Sequence, residues 1–363
     1  MIRLIFRTAF LFSLFIIGRS TIVTGSPLSG DGNKWLITFG DSYHNYLPES
    51  TMRMGVVFKN NSSDSLKVSQ ELIVTDSLGV KIWKTVINLG LIPKGSMTVP
   101  LLIPVPKITG TFKLTLSKNI KNNGEEVPSF EFNVIQPKKS TRLSKLLVFA
   151  PDEEVDLNNF LKTWEVKAPE VSWGQVLLFG KTSWKRFAAG EPEIIQMVDR
   201  ALKREMSVIF LDFRSGDENK LTNILLPYNV SVRFIKAKEP EQRFVLKSDY
   251  KELTYDLTTN IMKFWNGYLG IVVPATDLRF EGKGVNINAY ATTGENPYRY
   301  PLVELIPKTG KGKLYLSQII TEGRLDESVK PPRNKPGLPA YDPMAVQFLL
   351  NLISASVGDN LLK

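Results

Sequence analysis

The sequence predicts a multidomain chain: an all-β sandwich over residues 27–136, a linker at 137–142, and a three-layer α/β domain over 143–363. Three observations predict it. Between residues 35 and 135 the chain reads as short strands separated by turn clusters, without a helical pattern. After residue 143 the strands become continuous apolar runs, the mark of strands covered on both faces. Between two of those runs lies an amphipathic helix, and strand, helix, strand in that order implies a parallel crossover.

Residues 1–26 stand apart from both parts. Arg3 and Arg7 precede an apolar run over 9–17, followed by small and polar residues up to Ser26. This is the layout of a secretory signal peptide, and the run is short for a membrane span. The alternative is an uncleaved amphipathic anchor. No other stretch approaches about 18 consecutive apolar residues, so no membrane span is expected in the mature chain. The expectation is an exported protein, periplasmic or extracellular.

In the sandwich, residues 53–59 are rich in β-formers and end at Asn60-Asn61-Ser62-Ser63-Asp64, a cluster of turn residues. Residues 66–75 alternate, with Val68, Leu72 and Val74 on one face and one irregularity between them. Asp76-Ser77-Leu78-Gly79 turns the chain, and 80–89 returns it. Strands follow at 96–103, 111–116 and 129–135. The prolines of 100–106 predict an edge strand or a switch between sheets, because proline cannot donate to a ladder. Trp83 is expected in the core.

Beyond the linker, 145–150 and 175–180 are apolar runs. Gly190-Glu191-Pro192 opens a helix with Pro192 near its first position. Ile194, Ile195, Val198, Ala201 and Leu202 recur at helical spacing, and acidic residues near its start and basic ones near its end suit the helix dipole. Residues 207–213 form a third buried strand, so the central sheet is expected to be parallel with helices on both sides. A short helix is expected at 221–226, strands at 230–235 and 271–273, and a loop or hairpin at 282–301. Residues 303–306 and 313–318 read as a strand pair. Asp342 then caps a last helix with Pro343 at its first position, whose buried face is Met344, Phe348, Leu349, Leu352 and Ile353.

Composition narrows the chemistry. The 363 residues are 43% hydrophobic and 23% charged, a globular composition. The formal charge of +10 owes three charges to Arg3, Arg7 and Arg19, and the lysines are scattered rather than striped among aromatics. Nucleic-acid binding is therefore not expected. There is no cysteine, which excludes disulfides, thiolate metal sites, thiol nucleophiles and a lipoprotein anchor. His44 is the single histidine and lies in a polar stretch, where a loop residue of no catalytic role is expected.

Ligands of open parallel sheets sit outside the carboxyl ends of the strands. Three sets of residues are expected there: Asp152, Glu153 and Glu154 after the first strand, Lys181 to Trp184 after the second, and Asp212 with Arg214 at the third. Carboxylates so placed can do acid–base work on a glycoside, or can simply be solvated turn residues. Trp164, Trp173, Trp184 and Trp265 are candidate platforms for sugar rings, against the alternative that they cover the core. Gly310-x-Gly312 precedes a strand and lacks a third glycine, so it is a turn rather than a phosphate cradle. No cofactor is expected, and no metal site.

Gly310-Lys-Gly-Lys-Leu-Tyr-Leu-Ser-Gln318, followed by Pro343-Met-Ala-Val-Gln-Phe-Leu-Leu-Asn351-Leu-Ile, resembles the end of a class-one glutamine-amidotransferase-like domain. Such domains accompany bacterial β-galactosidases and other family-two glycoside hydrolases. Trp265-Asn266-Gly267 and Asp277-Leu278-Arg279 are similar to the same setting. The stretches 56–64 and 76–79 resemble the immunoglobulin-like sandwiches of those enzymes. The resemblance implies an immunoglobulin-like sandwich followed by a flavodoxin-like α/β domain. The family's catalytic barrel is missing, and the amidotransferase cysteine has no counterpart, so no residue inherits a catalytic role. The implied function is a non-catalytic accessory protein of a bacterial glycan-degradation system, touching a glycan or a partner glycosidase. The alternatives are a glycoside hydrolase using the loop carboxylates and a structural module that forms a homo-oligomer.

Overall fold

The computed structural model describes residues 28–30, 35–40, 43–117, 129–169, 174–212, 226, 230–236, 240–247, 249–257, 261–267, 270–273, 276–282, 285–292, 300–307, 312–328 and 340–357. Residues 28–30, 35, 230–236, 276–282, 285–292 and 307 are described by their backbone alone. The leader expected at 1–26, Trp173, Arg214, Gly310 and most of the helix expected at 221–226 lie outside the described residues. The chain is mixed α/β, with several sheets and few helices.

The first part contains β1 (Leu28–Gly30), β2 (Trp35–Phe39), β3 (Asn45–Tyr46), β4 (Thr51–Asn60), β5 (Leu66–Asp76), β6 (Lys81–Leu91), β7 (Ser96–Pro104), β8 (Gly110–Leu116) and β9 (Ser129–Val134). They make a four-stranded sheet in the order β1-β2-β4-β7 and a five-stranded sheet in the order β3-β9-β8-β5-β6. Alternate residues of both sheets, among them Met54, Val56 and Phe58 from one and Leu72, Phe112 and Phe132 from the other, fill one shared core. Val68, Leu72 and Val74 point inward, as period-two alternation requires. The irregularity in that row is Gln70, which is also buried and donates through Nε2 to the Glu71 carbonyl at 2.9 Å. Asp76 closes the following turn by accepting from the N–H groups of Leu78 at 2.9 Å and Val80 at 2.8 Å, and Gly79 supplies φ +81°. β7, with Pro100 and Pro104, lies at the edge of its sheet.

The second part contains β10 (Val148–Phe149), α1 (Val155–Thr163), β11 (Val176–Phe179), α2 (Lys181–Ala188), α3 (Pro192–Lys203), β12 (Ser207–Phe210), β13 (Val230–Lys236), β14 (Arg243–Leu246), β15 (Ile261–Lys263), β16 (Thr276–Gly282), β17 (Val285–Thr292), β18 (Leu302–Pro307), β19 (Lys313–Ser317) and α4 (Pro343–Ser356). The main sheet has eight strands in the order β10-β11-β12-β19-β18-β17-β14-β15. Its first four strands are parallel. The remaining four run antiparallel to their neighbours, so the parallel arrangement expected of the central sheet is confined to its first four strands, while the strand pair expected at 303–306 and 313–318 is found as β18 and β19. No described helix lies between β14 and β19 in the sequence, and strands joined without a crossover helix pair antiparallel. Residues 285–292, expected as loop or hairpin, are an inner strand of this sheet, and β13 pairs with β16 in a separate two-stranded sheet.

The parallel quartet is covered on both faces. Val176, Leu178, Ile209 and Tyr315 pack on one side with α1 and α4. Leu177, Phe179, Val208, Phe210, Leu314 and Leu316 pack on the other with α2 and α3. Gly312 opens β19 and donates its N–H to the Leu202 carbonyl at 2.8 Å. A Cβ there would lie 2.3 Å from the Met206 carbonyl oxygen, so the close approach of the α3–β12 turn demands glycine.

α4 is buried on nearly every side, more than its five expected inward residues suggest. Helices apolar all round belong in the interior. Burying Met344, Phe348, Leu349, Leu352 and Ile353 alone contributes on the order of 10 kcal/mol before chain entropy is subtracted. Its polar residues are placed by partners. Gln347 accepts from Lys138 N at 2.6 Å and donates to Lys138 O at 3.1 Å, fastening the segment that follows β9. Asn351 donates to the carbonyls of Leu253 and Tyr255, both at 2.9 Å. No helix among the described residues is long and apolar enough to cross a membrane.

Candidate functional site

The carboxyl ends of β10, β11, β12 and β19 border a cleft of roughly 120 Å³, lined by residues that include Glu154, Lys181, Asp212, Thr321, Glu322 and Asp326. After β10, Pro151 accepts the N–H of Glu154 at 2.9 Å, and α1 begins one residue later. After β11, Gly180 leads straight into α2 with no cap from its own side chain.

Glu154 provides that cap from a distance. Its Oε1 accepts the N–H of Ser183, in the first turn of α2, at 2.5 Å. An anion at a helix N-terminus satisfies an orphan donor and meets the positive end of the helix dipole. A Cβ on Gly180 would lie 2.4 Å from Glu154 Oε2, so the glycine makes room for the carboxylate. Ser183 is thereby fixed, and Trp184 beside it turns into the core.

Asp212 follows β12 with φ +56°, a left-handed conformation that costs a non-glycine residue about 1 kcal/mol or more. Its side chain is buried and accepts the Thr321 N–H at 2.6 Å and the Thr321 hydroxyl at 2.8 Å. Burial pushes its pKa up, the hydrogen bonds from Thr321 and the Glu322 N–H pull it down, and the charge of Glu322 pushes it up again. The net direction is upward. Lys181 reaches across the cleft and donates to both carboxylate oxygens of Glu322, at 2.8 and 3.1 Å.

The other expected residues are placed away from this geometry. Asp152 is exposed. Glu153 is paired with Arg186, which also binds Glu191 at 2.7 Å and Glu193 at 3.1 Å. Trp184 is 2% exposed and packs against Phe187 and Phe210, while Trp265 is 1% exposed and packs against Phe244 and Phe348. Neither ring offers a face to a sugar; both are core residues. Among the described residues, no group of three or more His, Asp or Glu is placed to hold a metal.

A second constellation joins the two parts of the chain and was not expected. Asn266 sends its side-chain amide into the sandwich: Oδ1 accepts the N–H groups of His44 at 3.0 Å and Asn45 at 3.1 Å. Nδ2 donates to the carbonyls of Asn45 at 2.8 Å and Tyr341 at 2.9 Å. These four bonds are all that an amide side chain can make. Asp342, the cap of α4, accepts from Met344 N at 2.8 Å through Oδ1. Its Oδ2 accepts from Asn266 N at 2.7 Å and from Asn45 Nδ2 at 3.0 Å. Burial pushes Asp342 up, against the pull of the Asn266 N–H and of the Arg324 charge. Arg324 is itself buried and donates Nε to the Asn266 carbonyl at 3.0 Å.

Beside this network the His44 ring lies between Phe130 of β9 and Phe264 of the second part, with centroids 4.5 and 4.6 Å away. Its Nδ1 donates to the Glu131 carbonyl at 2.8 Å. Desolvation lowers its pKa to about 4, although the Glu131 carbonyl bond and the Glu131 charge raise it and Lys263 lowers it further. His44 lies outside the strands, in the bend before β3, as expected, but it is buried at the joint rather than solvated. Phe264 holds φ +50°, unusual for a bulky side chain, so backbone strain sits at this joint as well as at Asp212.

No family model and no curated protein matches the sequence. Among solved structures, a β-glucosidase from Listeria innocua is similar at 14% identity and TM-score 0.23, covering 28% of this chain and 16% of that one. The CARDB domain of the PF1109 protein from Pyrococcus furiosus is similar at 16% identity and TM-score 0.22, covering 28% of this chain and 91% of that domain. A β-glucosidase from Erythrobacter marinus is similar at 11% identity and TM-score 0.23, covering 27% of this chain and 15% of that one. Likenesses of this size carry no inference about activity.

Proposed function

We propose that this chain is an exported, non-catalytic accessory protein of a glycan-degradation system, an immunoglobulin-like sandwich fastened to an amidotransferase-like, flavodoxin-like α/β domain. The observation that carries the reading is the use made of the cleft carboxylates. Glu154 caps α2, Asp212 holds the Thr321 turn, and Glu322 is paired with Lys181. Groups committed to holding the backbone are not poised to move protons. The cleft of roughly 120 Å³ is also smaller than the ~300 Å³ at which ligand pockets begin, which favours contact with a glycan chain or a partner glycosidase over enclosure of one sugar.

Incubation with a panel of plant and bacterial polysaccharides tests this directly. Retention on a polysaccharide, or on a glycosidase from the same source, without release of reducing sugar is the expected result. The second reading is a glycoside hydrolase, favoured by the strained backbone and upward-shifted carboxyl of Asp212 in a cleft. Reducing-sugar release that disappears in Asp212→Asn or Glu154→Gln would establish it and overturn the first. Cell fractionation tests export: recovery in the cytoplasm with residues 1–26 still attached would contradict it.

A further inference from the structure

The sandwich has two edges on one flank, β6 of the five-stranded sheet and β7 of the four-stranded sheet, and they are built differently. β7 carries Pro100 and Pro104, which remove two donors from its free side and keep another strand from pairing there. β6 is 11 residues long and has no proline. No described strand pairs with its far side. Its outer face presents Ile82 at 41% and Val86 at 53% exposure, and its inner-face Trp83 and Leu89 are only partly covered by the core.

We propose that β6 pairs antiparallel with β6 of a second copy of this chain, about a two-fold axis at Val86. The side-chain order of the strand selects this occupant and this register. With Val86 opposite Val86, Trp83 of each copy stands opposite Leu89 of the other. Those are the two half-covered apolar residues of the inner face, and each pair completes the other's burial. On the outer face Lys84 meets Asn88, and Ile82 meets Gly90, so no lysine faces a lysine. Centring the axis on Lys84 instead sets like charges directly opposite each other, which is destabilising. The pairing is isologous and closes at two copies, whereas the prolines of β7 keep the adjacent edge from extending the assembly. This inference goes beyond the accessory reading and does not depend on it.

The absence of cysteine makes the test clean. Residues directly opposite in an antiparallel pair have Cα atoms about 4.5–5.5 Å apart, within the range a disulfide bridges. Val86→Cys is therefore expected to form a covalent dimer with copper–phenanthroline at micromolar protein. Leu102→Cys, 67% exposed on the β7 edge, is the control and should cross-link at least tenfold more slowly. Light scattering should give twice the monomer mass for the unmodified chain and the monomer mass for Val86→Lys, which sets charge on charge at the axis without disturbing the core. Circular dichroism confirms that the lysine variant is folded. A monomer across the micromolar range, a dimer that survives Val86→Lys, or equal cross-linking by the two cysteine variants overturns the proposal.

Discussion

The joint between the two parts and the cleft at the carboxyl edge of the sheet use similar residue types to different ends. At the joint, Asn45, Asn266 and Asp342 are buried, and Asn45 bonds both of the others although it lies more than 200 residues before either in the sequence. At the cleft, Glu154 and Asp212 are also buried, but each steadies a turn or a helix end within the second part of the chain. The joint specifies how one body sits on another, whereas the cleft finishes the ends of strands. Polar groups buried between bodies fix a single orientation, because any other leaves them unpaired.

Four measurements break or sharpen this contrast. Asn266→Ala strikes the joint hardest, since it strips partners from His44, Asn45 and Tyr341 together. The expected loss is about 3–5 kcal/mol in urea unfolding, with the single transition separating into two. A loss below about 1 kcal/mol would mean that the joint is not fixed by this amide.

Acid is the next lever. His44 has a folded pKa of about 4 against the usual 6.5, so the unfolded chain takes up a proton that the folded chain refuses. Its contribution is constant above pH 6.5, declines as pH falls from there to about 4, and is then flat. The full decline is about 3 kcal/mol. His44→Phe should flatten that window in stability measured against pH, because it keeps the stack between Phe130 and Phe264 and cannot titrate. An unchanged pH profile in the variant would place the acid sensitivity elsewhere.

The cleft should respond more gently. Glu154→Ala removes the long-range cap of α2 and is expected to cost about 1–2 kcal/mol, read as a lower thermal midpoint with one cooperative transition retained. Separation into two transitions here, as at the joint, would erase the distinction between the regions. Lys181→Ala breaks a half-exposed ion pair and should cost less than about 1 kcal/mol, diminishing further in salt.

What the sequence made legible follows the range of the forces involved. The alternation of 53–59 and 66–75, the helix opened by Pro192 and the cap at Asp342 are decided by residues within a few positions of each other, and they are found where they are expected. α2 was not legible, because Lys181–Ala188 holds Thr, Ser, Trp and Phe and its start is set by Glu154, 29 residues earlier. β17 was not legible either: Asn286, Asn288 and Ala289 are weak strand formers, and their pairing with β18 is a tertiary decision. The cleft residues Glu154, Lys181 and Asp212 are legible from the ends of apolar runs, whereas the joint is not, because no local pattern ties Asn45, in a polar stretch, to Asn266, 221 residues later. The signal that could have found it was Trp265-Asn266-Gly267, where a large apolar residue beside an amide and a glycine of φ +71° marks a turn held in an interior.

α4 has a consequence in the order of synthesis. Its cap Asp342 bonds Asn45, which leaves the ribosome 297 residues earlier. At about 5–20 residues per second, Asn45 waits roughly 15–60 s for that partner. Until Asn266 is made the sandwich must hold β3 with the bonds of β9, and until α4 is made the apolar face of the parallel strands lacks that helix to cover it. A chain that closes its core only with α4 is exposed to aggregation until that helix has been made. Chaperone dependence during synthesis, and a steep loss of soluble yield on truncation before Pro343, are where that delay would be felt.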